Sequence, residues 1–264
     1  MVGAASAVSC PASRYEKATP MHQSGMGPGV LVVASVLVPM APECWAESRS
    51  FDLPTFDKIA VATGIHADVE VGAPQSVRID AKDPADFDDL VVEVRDGRLR
   101  LEIDSDARWR RGEAVRSHDT ISAFISVPAL YELQASSGAS IEAAGVSGGR
   151  LELQTSSGAS MRAVVARGEI IEAAASNGAS LTVSGACGHL DAQVSSGASM
   201  NAAGLACGSV AVAASSGASA TVFARDSAVA DASSGASIDI HGRPPITDVD
   251  SSSGGSVAVR NRAP

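Results

Sequence analysis

Cys187 and Cys207 stand 20 residues apart, each inside an Ala-Cys-Gly triplet. Two thiols at that separation could form a disulfide, or pack as reduced, small apolar groups. No Cys-x-x-Cys pair occurs among Cys10, Cys44, Cys187 and Cys207, so the usual zinc spacing is missing. His66, His118, His189 and His241 are scattered, with no His-x-His or His-x3-His pair to hold a metal. Asp83, Asp86, Asp88 and Asp89 crowd around Pro84, a set of oxygens that suits calcium. Neither the EF-hand pattern nor a Gly-Gly-x-Gly-x-Asp repeat accompanies them, and a solvated turn is the simpler account. Arg108-Trp109-Arg110-Arg111 could meet a glycan or an acidic polymer, but a solvated loop with its Trp packed on the solenoid is the simpler account. No catalytic constellation stands beside the repeats. The expectation is therefore no catalytic, cofactor or metal site, with Cys187–Cys207 as a disulfide candidate.

The residues that dominate the chain are serines. Ser-Ser-Gly-Ala-Ser begins at Ser136, Ser156, Ser195, Ser215 and Ser233. It appears as Ser-Asn-Gly-Ala-Ser at Ser176 and as Ser-Ser-Gly-Gly-Ser at Ser252. The intervals between the seven starts are 20, 20, 19, 20, 18 and 19 residues. A near-constant period of this size is the mark of a stacked repeat. On either side of each pentapeptide, apolar residues alternate with polar ones, as in Leu151-Glu152-Leu153-Gln154 and Ile238-Asp239-Ile240. That is strand periodicity, so each unit offers two short strands and a bend at the glycine. One such unit cannot bury its apolar side alone. Parallel stacking buries a continuous narrow core, with rungs roughly 4.8 Å apart. The expected fold is an all-β parallel β-helix, or solenoid, of ~20-residue rungs. The serines read as corner and ladder residues rather than as nucleophiles.

Composition agrees with a thin core. Hydrophobic residues make up 45% of the 264 but aromatics only 3%, so Ala, Val, Ile and Leu must fill the interior. The net charge of −10 opposes binding to nucleic acid, which needs a basic surface.

Gly29-Val-Leu-Val-Val-Ala-Ser-Val-Leu-Val-Pro-Met-Ala41 is an uncharged run. It is short for a membrane span and fits the apolar region of an export signal, with cleavage expected after Ala46. Pro42-Glu43 before Cys44 does not make a lipoprotein box. The expected organisation is a targeting segment over 1–46, an N-terminal β region over 47–130 and repeat rungs over 131–264. Residues 47–264 would form one domain, with no stable membrane span in the mature chain.

Within the N-terminal region, Phe56–Val61, Ala67–Val71, Val77–Ala81, Leu90–Val94, Leu99–Ile103 and Ile121–Val127 read as strands. Asp96-Gly97 marks a hairpin.

Several of these segments together resemble the auto-transporter adhesin head GIN domain family. They are Phe56-Asp57-Lys58-Ile59, Val69-Glu70-Val71, Leu99-Arg100-Leu101, Ile125-Ser126-Val127-Pro128-Ala129-Leu130 and the serine-glycine repeats, spanning roughly residues 53–257. The Gly-Ile-Asn signature stands here as Gly64-Ile65-His66. The resemblance implies a β-helical bacterial envelope protein, in the periplasm or on the outer surface, that binds an envelope glycan or protein. It carries no catalytic motif. The competing reading is a β-helical carbohydrate-active enzyme, a lyase or glycosidase, which would need paired acids and aromatic sugar platforms in a cleft.

Overall fold

A computed structural model describes residues 47–104 and 121–260. The apolar segment with Cys10, Cys44 and Ala46 lies outside the described residues, as do Arg108-Trp109-Arg110-Arg111 and His118.

The repeat half is a parallel β-solenoid. Five long strands follow one another: β9 (Ser140–Thr155), β10 (Ser160–Ala175), β11 (Ser180–Val194), β12 (Ser199–Ala214) and β13 (Ser219–Ala232). Each leaves one pentapeptide, runs along one face, bends, and returns along the other to the next pentapeptide. The next rung is split into β14 (Ser237–His241) and β15 (Ile246–Ser251), and β16 (Ser256–Arg260) opens a further rung by pairing with β14. Register is kept at the turn end of each rung, where Ser140, Ser160, Ser180 and Ser199 pair in succession.

The pentapeptide is a type I′ turn. Ser137 has φ 51° and Gly138 φ 75°, and the Ala139 amide donates to the Ser136 carbonyl over 3.0 Å. Two consecutive left-handed residues explain both the glycine and the short polar residue before it. Asn177 stands in the same place with φ 53°, and Asn-Gly is the pair this turn favours most. The alanine points inward, and Ala139, Ala159, Ala179 and Ala198 are all buried.

The opposite corner absorbs the uneven period. Register shifts fall between Val165 and Gly168, Thr182 and Ser184, and Ala202 and Ala206. An 18-residue interval and a 20-residue interval therefore keep the same turn.

The N-terminal half adds β1 (Glu47–Phe51), β2 (Lys58–Val61), β3 (His66–Val71), β4 (Ser76–Ala81), β5 (Leu90–Arg95), β6 (Arg98–Ile103), β7 (Ile121–Val127) and β8 (Glu132–Ala135). Its stacking differs from a simple continuation of the repeats. On the front face the order is β1-β4-β7-β3-β9, and on the back β5-β6-β2-β8-β9. The β2–β3 coil thus sits between β6/β7 and β8/β9, although it comes first in the chain. Strands β1 and β4 on the front and β5 on the back run antiparallel to their neighbours and close that end. Asp83 caps a single 3-10 turn, Pro84–Asp88, by accepting from the Ala85 amide.

One apolar cluster runs from Phe56 to Ile240. Its inward columns are aliphatic: Ile141, Met161, Leu181 and Met200 stack rung upon rung.

Candidate functional site

An open groove of about 1010 Å³ lies on the outside of the front face, over β4, β7, β3, β9 and β10. Strand alternation builds it. In β3, Ala67, Val69 and Val71 turn inward, which leaves Asp68 and Glu70 outside. In β9, Ile141 and Ala143 turn inward and Glu142 outward. In β7, Phe124 is the half-exposed residue between buried Ala123 and Ile125.

Register sets these side chains in one row. Arg78 pairs with Phe124, Phe124 with Asp68, Asp68 with Glu142, and Glu142 with Arg162. The Arg78 guanidinium sits 4.4 Å from the centre of the Phe124 ring, an attractive cation–π contact. Asp68 and Glu142 are directly opposed like charges on neighbouring strands, a pairing that disfavours the fold. His66 Nε2 approaches Asp68 at 3.5 Å. Ser76 and Ser126 hydroxyls hydrogen-bond at 2.8 Å along the rim.

The back face handles its acids differently. Glu132, Glu152, Glu172 and Asp191 form an acidic column in register on four rungs. Arg98 donates to both oxygens of Glu132 at 2.6 and 2.7 Å. Gln154 donates to Glu152, and Arg150 pairs with Glu172. Glu132, Glu152 and Glu172 thus each have a side-chain partner on the back face.

Apart from the cysteine pair, the residues singled out from sequence do not converge. Asp83 caps the 3-10 turn, and Asp86 and Asp89 are buried beside it. His189 Nδ1 meets Ser209 Oγ at 2.8 Å, and His241 is buried in β14. Among the described residues no group of three or more His, Cys, Asp or Glu is arranged to hold a metal. Cys187 and Cys207 are register partners in β11 and β12, with Cα atoms 4.4 Å apart and sulfurs within bonding distance. The groove residues went unnoticed because Asp68, Phe124 and Glu142 are far apart in sequence. Their only signal was an outward position within an alternating strand.

A family model described as "Putative auto-transporter adhesin, head GIN domain" matches residues 55–244. No curated protein matches the chain. Among solved structures, an adhesin from Bacteroides fragilis, titled putative, superposes with a TM-score of 0.72 at 16% identity, covering 81% of this chain and 96% of that one. A Parabacteroides distasonis structure titled "Putative lipid binding protein" gives 0.64 at 15% identity, with 81% and 96% covered. An adhesin from Parabacteroides merdae, likewise titled putative, gives 0.63 at 15%, with the same coverage. At these identities the likeness speaks for the solenoid fold.

Proposed function

Because the chain belongs to the auto-transporter adhesin head GIN domain family, we propose that it is a non-enzymatic, exported cell-envelope protein that acts as an adhesin or binding module. The observation that carries this reading is the front-face groove. It is open and mixed in charge, with an aromatic ring beneath the Arg78 guanidinium, on a regular parallel ladder. The protein resides in the periplasm or on the outer surface of a bacterial cell, and its partner is an envelope glycan or protein. Residues 47–264 act as one domain, supported by the unbroken core. Among the described residues no helix is long and apolar enough to cross a membrane.

The decisive experiment has two parts. Cell fractionation of a tagged copy should place it outside the cytoplasm; a cytoplasmic pool alone ends the proposal. Labelled protein should then bind isolated envelopes saturably.

The side-by-side carboxylates Asp68 and Glu142 favour one second reading, a β-helical lyase or glycosidase. Incubation with a panel of polysaccharides separates the two. Chain shortening would establish the enzyme; binding without shortening supports the module.

A further inference from the structure

We infer that the front-face groove is a glycan site for an extended, neutral oligosaccharide lying along the solenoid axis. This rests on the binding-module reading above and names its ligand.

Three observations lead there. The first is the aromatic ring. Phe124 is partly exposed in the groove, and the guanidinium of its neighbour Arg78 lies over one face of the ring. A pyranose has an apolar face of C–H groups that suits such a ring. Its rim carries adjacent hydroxyls, which carboxylates accept from and guanidinium groups donate to in pairs. Asp68, Glu142 and Arg162 follow Phe124 at successive strand positions, where a ring seated on Phe124 would present those hydroxyls.

The second is charge. Asp52, Asp68, Glu70 and Glu142 line the groove against only Arg78 and Arg162, leaving two negative charges in excess. That balance repels uronates, phosphates and anionic lipid headgroups, and it leaves neutral sugars unopposed.

The third is the row's continuation. Beyond Arg162, register sets Thr182, Asn201, Thr221 and Asp239 opposite one another on the following rungs. Each rung therefore offers one outward hydrogen-bonding side chain, about 4.8 Å from the last. That step is close to the length of one pyranose in an extended chain. A ligand could gain one contact per rung, so affinity should grow with chain length until the row is filled.

Calorimetric titration of the mature protein with cellohexaose, mannohexaose and xylohexaose, their disaccharides, and hexagalacturonate tests this. At least one neutral hexasaccharide should bind about tenfold or more tightly than its disaccharide, and hexagalacturonate should bind more weakly still. Phe124→Ala should weaken that hexasaccharide by about tenfold or more, and Phe124→Tyr should restore it. Should Phe124→Ala not fold, Arg162→Ala, at a fully outward position, should reduce the length dependence instead. Unchanged affinity in a folded Phe124→Ala or Arg162→Ala protein overturns the site. So does equal or tighter binding of hexagalacturonate, or no binding of any neutral hexasaccharide. If labelled protein still adheres to envelopes in that last case, the binding module stands and only the glycan groove falls. If adhesion is lost as well, both fall.

Discussion

The Gly64 amide donates to the carbonyl of Ser137 over 3.1 Å. The same bond then repeats at every turn: Gly138 to Ser157, Gly158 to Asn177, Gly178 to Ser196, and on to Gly235 with Ser253. Gly64-Ile65-His66 is therefore the first step of the ladder that the pentapeptides continue. Ile65 fills the place of the pentapeptide alanine, and Thr63 has the left-handed φ of the second serine. Corner stability rests mainly on this backbone ladder, with serine hydroxyls adding contacts such as Ser160 to Ser140 at 3.1 Å.

The turn predicts an order among substitutions. Gly158 has open space around a hypothetical Cβ but a φ of 71°, so its replacement is opposed by backbone conformation alone. Gly158→Val should cost roughly 1–2 kcal/mol, more than Ser157→Ala. Ser157→Asn should gain a few tenths of a kcal/mol, since Asn-Gly suits the type I′ turn. Denaturant midpoints of the three variants check the order; equal midpoints for Gly158→Val and Ser157→Ala would remove the turn assignment.

The opposite corner predicts a larger effect. Gly185 has φ 121°, and a Cβ there would come 1.7 Å from the Val165 carbonyl oxygen on the rung before. Backbone cannot yield as a side chain can. Gly185→Ala should therefore lose roughly 3 kcal/mol or more, far beyond Gly158→Ala, or prevent soluble expression. Equal melting temperatures for these two alanine variants would count against the close approach.

This ranking was hidden in the sequence, and the reason is physical. A repeated motif announces the turn it forms, so the pentapeptide, its period and the rung length are legible from the serines alone. The second corner has no motif, because its bulges take up residues lost or gained between 18 and 20. Gly185 and Gly145 there look like any other glycine. The N-terminal strands β2 to β7 were also legible one by one, β7 from Ile121 to Val127 included, whereas β1, Glu47–Phe51, was not. Their spatial order was not, since nothing in alternation says that β7 inserts between β4 and β3. The groove inherits that gap: Phe124 and Asp68 meet only because of the non-sequential stacking.

Thr155 offers a test in the stabilising direction. It is 2% exposed, and its Oγ1 has no hydrogen-bond partner among the described residues. Its register neighbours are Ala135 and Ala175, which can supply no polar group. An unsatisfied buried hydroxyl opposes folding by about 1–3 kcal/mol. Thr155→Val keeps the shape and removes the hydroxyl. The variant should gain roughly 1 kcal/mol, a rise of about 2–4 °C in Tm for a domain of this size. A fall in Tm by scanning calorimetry would mean that the hydroxyl has found a partner.

The cysteine pair is the last expectation. Cys187 and Cys207 face each other across β11 and β12 and are both buried. With the Cα atoms 4.4 Å apart, a bond requires no backbone movement. We propose that it forms on export, where thiols are oxidised. It closes one coil between rungs already joined by a ladder. Its contribution is therefore at most roughly 3 kcal/mol, and folding should survive its loss. Protein taken from the periplasm and alkylated under denaturing, non-reducing conditions should carry no label on either cysteine, and digestion should yield the linked peptide. The double variant Cys187→Ala with Cys207→Ala should remain folded and melt no more than about 10 °C lower. Label on both cysteines would refute the native bond. If mild oxidant then joined them in the folded protein, the stacking of these two rungs would still hold; if it did not, the register between β11 and β12 would be wrong.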